Sequence, residues 1–82
     1  MYLLGPIGNF NWINTSNITD FTWLFAENNT FNGDISRWNT SNVVKFDKCF
    51  MKAIAFDSNI NDWDISSATS TRFMFEGASN FN

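Results

Sequence analysis

The chain has no histidine, one cysteine, one proline and four glycines among its 82 residues. Without histidine, acid–base chemistry near neutral pH lacks its usual side chain. A single cysteine, Cys49, excludes an internal disulfide framework and leaves the redox compartment open. The scattered glycines form neither a Walker nor a dinucleotide pattern. Charge is also scarce. Five basic and eight acidic residues give a net charge of −3, which is too weak and of the wrong sign to recruit nucleic acid. No apolar run is long enough to cross a bilayer, so no membrane insertion is expected of this segment. The opening MYLLGPIG has no basic region and too short an apolar stretch for a signal peptide. Any export signal would lie outside this segment.

What is present is apolar, aromatic and amide-rich. Hydrophobic residues make up 44%, with ten Phe and four Trp, so the chain can bury a core and is no disordered linker. The polar part is thirteen Asn, eight Ser and seven Thr, which together outnumber all charged residues.

These residues recur with a fixed step. FNGDISRWNTSNVVKFDKCFMKAIA begins at Phe31 and FDSNINDWDISSATSTRFMFEGASN at Phe56, 25 positions later. Phe81-Asn82 opens a fourth copy, and GNFNWINTSNITDFTWLFAENNT is an earlier one. The units therefore span roughly 6–30, 31–55 and 56–80, and residues 81–82 begin a copy that is cut short, as in a fragment of a longer protein. Aligned columns agree: Phe10, Ile35 and Ile60; Ile13, Trp38 and Trp63; Ile18, Val43 and Ala68; Phe21, Phe46 and Thr71; Leu24, Cys49 and Met74; Phe25, Phe50 and Phe75.

Within a unit, Val43, Phe46, Cys49, Phe50 and Ala53 fall three or four apart, which predicts one stripe of a helix of about three turns. Thr40, Ser41 or Asn42 stands where a helix would be capped, and Gly77 is a plausible stop for the last helix. A brief extended segment such as Asp34–Trp38 runs between helices. One unit alone cannot be stable. Its apolar columns gain roughly 1.5–3 kcal/mol each on full burial, while ordering 25 backbones costs roughly 1–2 kcal/mol apiece. Neighbours must cover both open faces, so the units are expected to stack as a repeat array. Met1-Tyr2-Leu3-Leu4 could cap the first unit, and open ends invite self-association.

The string FNGDISRWNTSNVVKFDKCF resembles the BspA-like leucine-rich-repeat surface proteins, including mycoplasma-type lipoproteins, whose units look like FNxDISxWxxSNVxxMxxMFxxA. The likeness runs from Asn9 to Asn82. It implies an α/β, leucine-rich-repeat-like right-handed solenoid at a cell surface or secreted, used for protein recognition or adhesion. The family has no catalytic residues to carry over and no cofactor. Ile13 where Trp is expected, Asn28 for Ala and Thr71 for an apolar residue depart from its pattern.

Alternative chemistries fit the residues less well. Cys49 shares its column with Leu24 and Met74, which predicts a buried core thiol. Asp57–Asp62 begins like a calcium loop, but Asp62 and Ala68 stand where Gly and Glu are required, so a turn held by Asx side chains is expected and no metal site. Asp62 and Asp64 are not a reproduced carboxylate pair, since Arg37 and Asn39 replace them one unit earlier. Sequons at Asn14, Asn17, Asn28 and Asn39 are expected by chance in so amide-rich a chain. Lys45, Lys48 and Lys52 form a small solvated basic face.

The expectation is thus a non-catalytic protein-binding or adhesion module, not an enzyme. A partner would use the variable exposed columns: Trp12, Arg37 and Asp62; their neighbours Asn11, Ser36 and Asn61; and Trp23. Trp23, Lys48 and Phe73 fall off the helix stripe, so Trp23 and Phe73 should face solvent. Trp12 and Trp23 could instead cover the open end of the first unit. A structural spacer, or a carbohydrate surface built on exposed Trp, are the competing readings.

Overall fold

The alternating fate of successive amide groups sets the architecture. The computed structural model describes residues 5–81. The amides of Phe21, Trp23, Phe25 and Glu27 donate to the carbonyls of Lys45, Asp47, Cys49 and Met51 one unit on, while those of Leu24, Ala26 and Asn28 close local turns onto Phe21, Trp23 and Phe25. The second unit repeats the pattern, with Phe46, Lys48, Phe50 and Lys52 donating to Ser70, Arg72, Met74 and Glu76. Stacking of residues 25 apart is therefore built directly into the backbone hydrogen bonds.

This scheme replaces the helices. An α-helix sends each amide back four residues. Here the local bonds span three residues, and every second amide leaves for the neighbouring unit. The reason is visible in the backbone: Trp23, Lys48 and Phe73 have φ of 64°, 57° and 56°, and Glu27, Lys52 and Gly77 have φ of 60°, 59° and 74°. Each sits third in a four-residue turn whose first carbonyl accepts from the fourth amide. Positive φ at that position marks a type II turn and interrupts any helix. Among the described residues there is no helix, and strand character is limited to three isolated parallel bridges, Asn9 with Asp34, Asp20 with Lys45, and Lys45 with Ser70. The α/β, right-handed helical solenoid expected from the sequence is thereby corrected. The three-or-four spacing that suggested a helix also places side chains inward along consecutive tight turns, and spacing alone does not separate the two. Gly77 does take the left-handed conformation, but in a turn, with no helix to stop. The expected cap formed by residues 1–4 lies outside the described residues.

The aligned apolar columns pack in register. Ile35, Val43, Phe46, Cys49, Phe50 and Ala53 of the middle unit are fully buried, and Phe10, Ile13, Ile18, Leu24, Ile60, Ala68, Met74 and Phe75 pack around them. Thr71 is the exposed exception. Phe25, Phe50 and Phe75 stack at 5.4 Å per step, and Phe31, Phe56 and Phe81 form a parallel pile beside them at 6.2 and 5.6 Å. The piles meet at 4.4, 4.1 and 4.3 Å through the pairs Phe25–Phe31, Phe50–Phe56 and Phe75–Phe81. Each such pair contributes roughly 0.5–1.5 kcal/mol beyond area burial. The result measures 27 × 27 × 21 Å.

Polar side chains follow the same register. The hydroxyls of Thr15 and Thr40, both buried, donate to the carbonyls of Asn39 and Asp64 at 3.1 and 3.0 Å. Asn14, Asn39 and Asp64 accept from the amides of Ser16, Ser41 and Ser66 at 2.9–3.0 Å, and Asn9, Asp34 and Asn59 do the same for Asn11, Ser36 and Asn61. These are Asx turns. They account for the abundance of Asn and Asp and stand where helix caps were expected.

Candidate functional site

The left-handed column projects its side chains outward. At φ near 60° the chain reverses its facing, so Trp23, Lys48 and Phe73 point away from the core while Leu24, Cys49 and Met74 turn into it. Trp23 is 47% and Phe73 52% exposed, as the column pattern led one to expect, although a turn and not a helix puts them there. Holding such bulky residues at positive φ costs on the order of 1–3 kcal/mol each.

Together with the preceding column this forms a shallow depression of ≈ 310 Å³, lined by Thr22, Trp23, Asp47, Lys48, Arg72 and Phe73. The Lys48 ammonium lies 4.6 Å from the centre of the Trp23 ring, and the Arg72 guanidinium 5.9 Å from that of Phe73. Both are within cation–π range. Asp47 anchors the floor: it accepts from the Ser70 hydroxyl and from the Arg72 amide, the latter at 2.9 Å. The Ser70 hydrogen bond first, then the Arg72 amide and the nearby charges of Arg72 and Lys45, hold its carboxyl below the ordinary value of 3.8. The site thus offers two aromatic faces, two cations and one committed carboxylate, a set suited to gripping a flat or anionic group.

Of the residues named from the sequence for a partner face, only Trp23 lies in this depression, joined by Lys48 and Phe73 of its own column. Trp12, Arg37 and Asp62 are all exposed, Trp12 at 76%, and Asn11 and Ser36 are half-buried beside an exposed Asn61. The register of that face is fixed at one step: the Asn11 side chain accepts from the Arg37 amide at 2.8 Å. Thr22, Asp47 and Arg72 were missed. They form the column just before Trp23, Lys48 and Phe73, and alignment of the repeats is the signal that could have found them. The basic face is dispersed, since Lys45 joins a bridge, Lys48 covers Trp23 and Lys52 occupies the second left-handed column. Cys49 is buried, and burial pushes its thiol far above the usual range, with the Phe25 amide a lesser opposing influence.

Against known proteins, the family model described as "Mycoplasma protein of unknown function, DUF285" matches residues 5–82. No curated protein and no solved structure matches the chain.

Proposed function

This chain belongs to that Mycoplasma family of unknown function; we propose that it is a non-catalytic binding module, displayed at a cell surface or secreted, that captures a protein ligand. The BspA-like surface proteins, suggested by the W-x-x-SNV and MF elements, are the group within which we place it. The observation that carries the reading is the exposure of Trp12 and Trp23 in a chain whose remaining tryptophans, Trp38 and Trp63, are buried in register. Large aromatics left in solvent are enriched at the energetic centres of interfaces. Polar columns beside them vary from unit to unit while the packed columns repeat, which is how a repeat scaffold diversifies one face without disturbing its core.

A direct test couples the whole chain to beads and measures their retention on a host-cell monolayer. The double variant Trp12→Ser/Arg37→Ala should lose most retention at an unchanged melting temperature. Retention equal to wild type would favour a spacer role. Retention abolished by a soluble glycan, with Trp12 fluorescence responding to it, would move the ligand from protein to carbohydrate.

A further inference from the structure

Lys48 and Arg72 are neighbours across the second junction, where the Lys48 amide donates to the Arg72 carbonyl at 2.8 Å. Both line the depression, yet Asp47 on its floor takes its hydrogen bonds from neutral donors, the Ser70 hydroxyl and the Arg72 backbone amide. The charged heads lie instead over rings, Lys48 on Trp23 and Arg72 on Phe73. Their N–H donors outnumber what a ring face can satisfy, so they remain able to grip an anion.

The surrounding charge agrees. Lys45, Lys48 and Arg72 stand here with Asp20 and Asp47, three cations against two carboxylates, whereas the rest of the chain sets Arg37 and Lys52 against six acidic residues. The depression is thus a positive place on an acidic molecule. Screening over about 8 Å at physiological ionic strength lets these nearby cations outweigh the more distant acids. A cationic ligand would meet both heads and find the ring faces already taken; an anionic one meets neither obstacle. The backbone adds a second, independent sign. Trp23, Lys48 and Phe73 are held at φ of 64°, 57° and 56°, where a large side chain is strained. Core packing does not require that strain, since Trp23 and Phe73 are half-exposed.

Building on the protein-binding reading, we propose that the depression receives an acidic segment of the ligand in which a carboxylate side chain adjoins an aromatic ring. The carboxylate pairs with Lys48 and Arg72, and the ring packs on the exposed part of Trp23. Asp47 limits the affinity, because its like charge stays on the floor beside the incoming carboxylate.

Titration of the isotope-labelled chain with the capped tripeptide Glu-Tyr-Glu, followed by NMR at pH 7, tests this. The Trp23 indole and the amides of Asp47, Lys48 and Arg72 should shift together, with a dissociation constant on the order of 1 mM. Gln-Tyr-Gln lacks the charge and Glu-Ala-Glu the ring, and each should bind at least about fivefold more weakly. Lys48→Gln/Arg72→Gln should lose about as much, while Asp47→Asn should bind more tightly than wild type. No shift at Trp23 up to about 10 mM peptide overturns the proposal. So does equal binding of Gln-Tyr-Gln, a comparison on the wild-type chain that holds even if the double variant fails to fold. In the bead assay, retention lost with Trp12→Ser/Arg37→Ala but kept by Lys48→Gln/Arg72→Gln overturns the proposal and leaves the protein-binding reading standing. Wild-type beads that are not retained remove that reading, and the tripeptide titration still decides the depression.

Discussion

Trp63 donates its indole N–H to the carbonyl of Ile35 at 2.9 Å, 28 residues back and one unit away. Trp38 makes the same bond to Phe10, also at 2.9 Å, and the two indoles lie nearly parallel with centres 6.3 Å apart. A tryptophan in this column therefore joins three tasks: it fills the core, ties its unit to the preceding one, and stacks on its counterpart.

Trp63→Phe should keep much of the packing and lose the tie, leaving a carbonyl that has no replacement donor. A loss of about 1–3 kcal/mol is expected. Trp12→Phe, at an exposed site, should change stability by no more than about 0.5 kcal/mol. Urea unfolding of both variants checks the contrast, and equal losses would contradict the assigned roles.

The neighbours of Gly33 leave no room for a side chain. A Cβ there would sit 2.6 Å from Cδ2 of Phe10 and 2.9 Å from Cε1 of Phe31. Gly33→Ala should therefore destabilise by about 1–3 kcal/mol through overpacking. One unit later the same column holds Ser58, and the ring column that Phe10 begins continues with Ile35. Phe10→Ile should consequently relieve the clash, so that the double variant Phe10→Ile/Gly33→Ala is more stable than the sum of its parts. A double-mutant cycle reads this coupling directly.

Glu27 holds φ of 60° in the column that Gly77 completes at 74°. Glycine adopts this conformation without the side-chain penalty of about 1–2 kcal/mol, and gives part of it back in unfolded-state entropy. Glu27→Gly should raise stability modestly, visible as a higher urea midpoint at unchanged slope. A lower midpoint would show that the glutamate is not strained.

Acid should unfold the chain through its aspartates. Asp20, Asp34, Asp47 and Asp64 all have carboxyls held below the ordinary 3.8, by hydrogen bonds from Thr22, Ser36, Ser70 and Ser66 first. A folded-state value below the unfolded one means that the unfolded chain binds protons first as pH falls. The stabilisation is therefore complete above the ordinary carboxylate value and is lost below it, as pH drops through the lowered native values. With no histidine, stability should be level between pH 5 and 8. Chemical denaturation from pH 7 to pH 2 measures the profile. Asp47→Asn keeps an acceptor for Ser70 while removing the titration, and should flatten the acid limb; a profile as steep as wild type would remove Asp47 from the set.

Much of the inside was legible. Ile35, Phe46, Cys49 and Phe50 were placed in shared columns by the 25-residue step alone, because residues occupying equivalent surroundings in a stack must be alike in character. The exposed Trp12, Trp23 and Phe73 followed by exclusion. The helices were wrong for a reason that a single unit cannot reveal. Whether the amide of Phe46 returns along its own chain or crosses to Ser70 depends on a carbonyl 24 residues away. The depression at Trp23 was half-hidden for the same reason: Thr22, Asp47 and Arg72 are ordinary polar residues until three units lie side by side.

By itself, then, the sequence determined the repeat length, the apolar columns, the buried thiol and the poverty of charge, since each is a matter of which side chain stands where along the chain. Only the tertiary structure decided the backbone conformation, the left-handed columns and the aromatic depression. Those depend on hydrogen bonds between units, and the direction of a backbone bond is not written in the identity of the side chain beside it.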